Sequence, residues 1–189
     1  MKKNLLLASL LVFGATSLFA TEVEHSAFVG LEVGSTSYDF KVEAPSISYS
    51  YSKSYSDNSQ SLKLGKYLGD FGRAYGTIGR VDADDATVIT YGLGYDYLVY
   101  NSSDFTPFIG ATLGYQQVDL DDASIVELSG LTYGVEIGAQ YSINESFDIE
   151  VGYRMNFDSS DDTITVSGRS IKYTLDNTKI WYIGANYSF

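Results

Sequence analysis

From Ala27 to Phe189 the chain repeats one pattern eight times: a stretch in which large apolar side chains alternate with small or polar ones, followed by a break. Period-two alternation puts successive side chains on opposite faces of a strand, so each stretch reads as a strand with one greasy and one polar face. The fourth is the clearest. Thr87, Ile89, Tyr91, Leu93, Tyr95, Tyr97 and Val99 stand against Val88, Thr90, Gly92, Gly94, Asp96 and Leu98. The sixth sets Leu131, Tyr133, Val135, Ile137, Ala139 and Tyr141 against Thr132, Gly134, Glu136, Gly138, Gln140 and Ser142, and the other stretches follow suit. The third, Arg73–Val81, is the poorest; its pattern places Tyr75, Thr77 and Val81 on the greasy face, opposite Gly76, Ile78 and Arg80.

The breaks alternate in length. Gly69–Gly72, Asn101–Asp104 and Asn144–Ser146 are tight, Ser35–Asn58, Val118–Gly130 and Phe157–Asp176 are long, and Asp82–Ala86 is intermediate. Short turns at one end and long loops at the other describe an even-stranded antiparallel meander. Bulk decides which face is inside. An eight-stranded barrel encloses a space that side chains just fill, and the greasy stripe, with Trp181 and most of the Tyr, Phe, Leu, Ile and Val, is too large for it. The glycines and small polar residues fit. The expected fold is therefore an all-β, eight-stranded antiparallel up-and-down transmembrane β-barrel, closed so that every backbone polar group is satisfied in hydrocarbon.

Composition agrees with this and excludes other classes. Seventeen Tyr, 10 Phe and 18 Gly against 2 Pro favour sheet. With 12 Lys+Arg against 24 Asp+Glu the formal net charge is −12, the wrong sign for a nucleic-acid partner. The absence of Cys removes disulfides and thiolate metal sites. Met1–Ala20 carries Lys2 and Lys3, an apolar run Leu5–Phe13 and a small residue at its end, the organisation of a secretory signal peptide. Residues 21–189 are then the barrel with its long loops.

Aromatic residues fall at the two ends of the greasy stripe: Tyr97, Phe105, Tyr141, Phe147, Tyr187 and Phe189 near the tight turns, and Tyr91, Tyr115, Tyr133 and Trp181 near the loops. These are the expected membrane girdles. Pro107-Phe108-Ile109-Gly110-Ala111-Thr112-Leu113-Gly114-Tyr115 and Val151-Gly152-Tyr153-Arg154 resemble strands of the OmpA/OmpX-like outer-membrane β-barrel family. The terminal Trp181–Phe189, ending on an aromatic ring, is similar to that family's C-terminal insertion signal. The resemblance implies residence in the outer membrane of a Gram-negative bacterium, with termini periplasmic and loops extracellular. It also implies insertion by the barrel-assembly machinery and contact with outer-membrane lipid and lipopolysaccharide. The chain stops at Phe189, so the peptidoglycan-binding domain that OmpA itself carries is not expected.

Six charged residues fall on the polar, lumen-facing stripe: Glu32, Lys63, Arg80, Glu136, Glu150 and Arg154. Glu32 with Lys63 and Glu136 with Arg154 sit on neighbouring segments. Buried charges need partners, so a plug that locks the barrel is expected; a gate in a narrow water path is the alternative. Enzymes among small outer-membrane barrels, as families, place a histidine near the outer leaflet or cell surface, whereas the single histidine here, His25, precedes the first strand at the opposite end. No imidazole base is available where a lipid or surface substrate would sit, and no catalytic residue is assigned.

The acid clusters Asp82/Asp84/Asp85, Asp119/Asp121/Asp122 and Asp158/Asp161/Asp162 lack EF-hand spacing and read as solvated loop charge. Neither a metal nor a cofactor is expected. In the first loop, serines at alternate positions from Ser46 to Ser56 interleave with Ile47, Tyr49, Tyr51, Lys53 and Tyr55, the pattern of a β-ribbon rising above the membrane. Mixtures of Tyr and Ser make adaptable contact surfaces, so Tyr49, Tyr51 and Tyr55 are candidate binding residues for an extracellular ligand. Thr163–Ser167 and Ser170–Thr174 read as a second protruding hairpin. The expected role is structural or one of surface interaction for a monomer, with a narrow porin-like channel as the alternative.

Overall fold

The computed structural model describes residues 27–44, 49–83, 86–120, 128–166 and 169–189. The Met1–Ala20 leader, His25, and the loop acids Asp84, Asp85, Asp121 and Asp122 lie outside the described residues. Eight strands follow in order: β1 Ala27–Ala44, β2 Tyr49–Leu68, β3 Gly72–Ala83, β4 Ala86–Leu98, β5 Phe105–Leu120, β6 Leu128–Asn144, β7 Phe147–Val166 and β8 Arg169–Ser188. Each pairs antiparallel with the next, and β1 pairs with β8, closing the barrel. The fold is a transmembrane β-barrel in which no backbone edge faces lipid.

The outer stripe forms a continuous apolar belt. Leu31, Val33, Leu62, Leu93, Ile109, Leu113, Leu131, Val135, Ile137, Val151, Trp181 and Ile183 are exposed on it. So many exposed large apolar side chains match a bilayer and not water. Aromatic pairs staple the belt's borders: Tyr153 lies 4.6 Å from Trp181 and Tyr133 5.5 Å from Phe157, centroid to centroid, each pair directly opposite across neighbouring strands. Tyr97, Phe105, Tyr141, Tyr187 and Phe189 ring the tight-turn end, all about half exposed. Tyr91, Tyr115 and Phe147 share the outer stripe and are partly covered by neighbours.

One strand departs from the sequence reading. In β3 it is Ile78 and Arg80 that face outwards, whereas Tyr75 and Val81 are buried inside. Arg80 is therefore not a lumen charge: its side chain is 60% exposed and pairs with Asp82 at 2.7 Å. The physical reason lies in the outer stripe of β3, which runs Gly72, Ala74, Gly76, Ile78. Its lower part has no bulky residue to mark it as lipid-facing. The inner stripe begins with Arg73, whose guanidinium belongs with the buried acids, and parity then carries Tyr75, Thr77 and Val81 inwards with it. Arg80 falls just past Ile78, at the upper border of the belt, where a charge reaches water cheaply.

The strands also run further than their apolar patterns. β1 and β2 stay paired from Ser35 opposite Asn58 to Ala44 opposite Tyr49, and β7 and β8 from Ser160 opposite Leu175 to Val166 opposite Arg169. β1 and β8 remain paired to Glu43 opposite Lys172. A four-stranded sheet, β7-β8-β1-β2, thus stands above the belt, while β3–β6 end close to it at Ala83, Ala86, Leu120 and Leu128. The ribbon and the second hairpin anticipated from the Ser/Tyr and Thr-rich patterns are two halves of one wall.

Candidate functional site

The lumen is filled by packing that starts with glycine. Of the aromatic side chains that point inwards, four each lie over the glycine directly opposite on a neighbouring strand: Phe28 over Gly65, Tyr75 over Gly94, Phe108 over Gly138 and Tyr182 over Gly152. A Cβ on Gly65 would lie 2.7 Å from two ring atoms of Phe28, and Cβ atoms on the other three would collide with their rings. Rings laid on bare backbone fill the tube without widening it.

Between the rings lies a closed circuit of charge. Asp96 accepts from Arg73 Nε at 2.6 Å, and Arg73 Nη1 reaches Glu150 at 2.9 Å. Glu150 meets Lys63, and Lys63 Nζ meets Glu32 at 2.9 Å. Arg154 Nη2 donates to Glu32 at 3.2 Å and its Nε to Glu136 at 2.6 Å. Tyr75 completes the ring, its hydroxyl 2.5 Å from Glu136 and 3.3 Å from Asp96. Asn186 adds a bond from β8 to Glu150 at 2.9 Å, and the Arg73 guanidinium lies 4.7 Å from the centre of the Phe108 ring on β5. All eight strands thus contribute to one buried cluster. All of these charged groups are buried. Four carboxylates and three cations in a space without bulk water hold one another in place: each cation is shared by two carboxylates, and Asp96 and Glu136 depend on Arg73 and Arg154 for their charge partners.

The structure brings Glu32, Lys63, Glu136, Glu150 and Arg154 together and leaves out Arg80. Arg73 and Asp96 complete the circuit and were not among the expected network residues. Their signal was available: they stand directly opposite each other across the β3–β4 hairpin, a cross-strand Arg–Asp pair. The contact of Glu150 with Lys63 and Arg73 spans the lumen and has no such local mark.

Above the circuit a small polar chamber of about 50 Å³ is lined by Thr36, Gln116, Asn156, Thr178 and Arg154 among others. Thr36 Oγ1 and Gln116 Nε2 have no protein partner there, as expected of groups that bind water. Tyr38, Val81 and Val88 cluster at the top of the barrel, with Val118 packed against them. At the tight-turn end the lumen widens into a mouth of about 560 Å³ beside Tyr67, Tyr100 and Asp148. Gln140 in the wall of that mouth accepts from Arg73 Nη1 at 3.3 Å, and Leu98 and Phe108, at most 2% exposed, form an apolar cluster against which Tyr67 packs. The barrel is therefore blocked at mid-height by charge and near its upper end by apolar groups.

The sheet above the belt presents a different surface. Tyr49, Tyr51 and Tyr55 are 46–52% exposed on the face that continues the lumen stripe. The opposite face carries the serines, with Ser54 donating to Asp39 at 2.6 Å and Lys179 pairing with Asp39 at 3.1 Å. These two contacts hold the Asp39 carboxyl below its ordinary range, the serine bond contributing most.

The fold so described is that of the small outer-membrane barrels. No protein-family model matches the chain, and no curated protein matches its sequence. Solved structures do. The outer membrane protein OprG of Pseudomonas aeruginosa superposes with a TM-score of 0.63 at 16% identity, over 87% of this chain and 96% of that one. Neisserial surface protein A gives 0.57 at 16%, over 84% and 97%. Outer membrane protein H (OprH) of P. aeruginosa gives 0.56 at 21%, over 87% and 99%. At such identities the shared property is the fold.

Proposed function

We propose that this chain is an outer-membrane protein whose barrel is a sealed, rigid anchor and whose working part is the four-stranded sheet raised above the membrane, acting in adhesion or binding. The observation that carries the reading is the contrast within the molecule: the lumen is closed by interlocked charges, whereas the sheet offers exposed tyrosines on a rigid support. In this reading Met1–Ala20 is a cleaved signal peptide, the tight turns and termini are periplasmic and the sheet is extracellular. The C-terminal strand serves insertion by the barrel-assembly machinery, and the belt of the monomer contacts lipid and lipopolysaccharide. The relation to the OmpA/OmpX-like family rests on the strand motifs and the shared architecture. A non-enzymatic role follows from the circuit: its carboxylates are consumed by ion pairs and lie beyond the reach of lipid or surface substrates.

The test compares the full protein in vesicles with a variant in which an Asn-Gly turn replaces Tyr38–Tyr55. Retention of wild-type vesicles on immobilised fibronectin, laminin or collagen, lost in the trimmed variant while its barrel stays folded, supports the reading; equal behaviour of the two refutes it. A narrow channel is the second reading, favoured by the sharing of Glu32 between Lys63 and Arg154, which allows the pairs to exchange partners. Steady openings in a planar bilayer that disappear on Arg154→Gln would establish it. A silent bilayer is expected of a plug.

A further inference from the structure

The mouth at the tight-turn end holds a carboxylate that has no counter-ion. Asp148 lies on its wall and is 7% exposed. Its Oδ1 accepts from Ser142 Oγ at 2.6 Å and its Oδ2 from the Tyr67 hydroxyl at 3.3 Å, both neutral donors. Among the described residues no cation pairs with it. A buried carboxylate without a cation carries an uncompensated desolvation cost, and its surroundings add to the charge. Asp104 and Glu145, exposed on two of the tight turns, line the same cavity, and among the described residues no basic side chain does. The nearest guanidinium, that of Arg73, is taken up by Asp96 and Glu150.

Gln140 supplies a second, independent mark. It is 3% exposed and lies on the same wall. Gln140 stands opposite Glu150 and Ser142 opposite Asp148, so Gln140 and Asp148 are diagonal neighbours across β6 and β7 on the inner face. Arginine only donates, so the contact of 3.3 Å from Arg73 Nη1 turns the amide oxygen of Gln140 towards the circuit. Its amide nitrogen donates to no described residue and is the group left for the mouth.

An uncompensated carboxylate beside an unused neutral donor describes its ligand: an ammonium group next to a hydrogen-bond acceptor. The rings of Tyr67 and Tyr100 on the wall suit a cation and an apolar side chain. The cavity, about 560 Å³, lies within the usual range for small ligands, about 300–1,000 Å³. A metal ion fits poorly, because among the described residues no three acids converge to hold one. A diamine leaves Gln140 without an acceptor, and a free amino acid brings its own carboxylate among three acids. The first residue of a peptide meets every condition, with its α-ammonium and its carbonyl oxygen side by side and its carboxylate far away. We propose that the mouth binds the N-terminal residue of a peptide, the ammonium on Asp148, the first carbonyl on the Gln140 amide and the side chain against Tyr67 and Tyr100.

The experiment follows the amide signals of the full, ¹⁵N-labelled protein by NMR in octyl glucoside, whose uncharged head groups do not compete. The probe is phenylalanyl-alanyl-alanine amide, which should give saturable shifts that include the side-chain amide of Gln140. Acetylating its N-terminus should abolish binding. Phenylethylamine, which keeps the ring and the ammonium but lacks the carbonyl, and free phenylalanine should each bind roughly tenfold more weakly. D148N should weaken the tripeptide amide roughly tenfold. The turn variant D104N/E145Q should weaken it about threefold and flatten its salt dependence. Heat-modified gel mobility verifies that each barrel is folded; should D148N not fold, the turn variant and the acetylated peptide decide. The proposal is overturned by the absence of saturable shifts, by equal binding of the acetylated peptide or of phenylethylamine, by unchanged binding in folded D148N, or by calcium chloride displacing the peptide at equal concentration.

Discussion

β1 and β2 cross from lipid to water without changing register, and the meaning of their two faces reverses on the way. Below Val33 and Leu62 the outer face is apolar apart from Lys66 near the tight turn, while the inner one carries Glu32 and Lys63. Above, the outer face is serine with Asp39, Lys41 and Glu43, and the inner one carries Tyr38, Tyr51 and Tyr55. The backbone ladder is the same throughout; only the solvent differs. Strand pairing thus supplies a continuous rod, and side-chain chemistry alone sets how deep it sits. The two halves should also differ in what they tolerate. Below the border, buried charge and close ring packing leave no slack; above it, most side chains touch water.

The largest expected effect comes from the circuit. Arg73→Ala takes the cation from Asp96 and leaves Glu150 with Lys63 alone, and loss of one member of a buried ionic cluster costs about 3–5 kcal/mol. Urea unfolding in lipid vesicles should show it, whereas Arg80→Ala, at an exposed pair, should leave the midpoint in place. An arginine on the outer stripe separates the two halves directly. Val135→Arg should cost about 2–4 kcal/mol near the bilayer midplane, and Ser52→Arg, on the outer stripe above the border, should cost nothing measurable by the same assay.

Glycine packing gives the next effect. Gly138→Leu drives a side chain into the Phe108 ring, an overpacking expected to cost about 1–3 kcal/mol and to slow recovery of the heat-modified gel band. The smallest effect is one of pH. Since Asp39 has a lowered pKa in the folded sheet, its contribution is complete above the ordinary aspartate range. It is lost as pH falls through the depressed value, below about pH 4. Hydrogen exchange in the β1–β8 seam should rise between pH 5 and pH 3, corrected for the intrinsic rate, and Asp39→Asn should remove most of that rise.

The strands, their order and the faces of seven of them were legible because bulky lipid-facing residues mark every second position. β3 was not, because Gly72, Ala74 and Gly76 give its outer stripe no bulk, and Tyr75 and Val81 then mimic one. The upper strand extensions were legible only as ribbons, since Ser/Tyr alternation shows period two without saying which face is covered. Glu32–Lys63 and Glu136–Arg154 could be foreseen from neighbouring segments. Glu150 meeting Lys63 and Arg73 could not: which charges meet across a lumen depends on stagger around the barrel, here summed over three and four successive strand pairings, which no local pattern records.

The orientation of the stripes is tested most directly by spin labels placed singly along β6, from Leu131 to Ile137, with collision rates measured against oxygen in the bilayer and a water-soluble nickel chelate. Oxygen contact should be high at positions 131, 133, 135 and 137 and low at 132, 134 and 136. A reversed alternation, with 132, 134 and 136 in contact with lipid, would contradict the inside-outside assignment and with it the sealed lumen and the raised working surface.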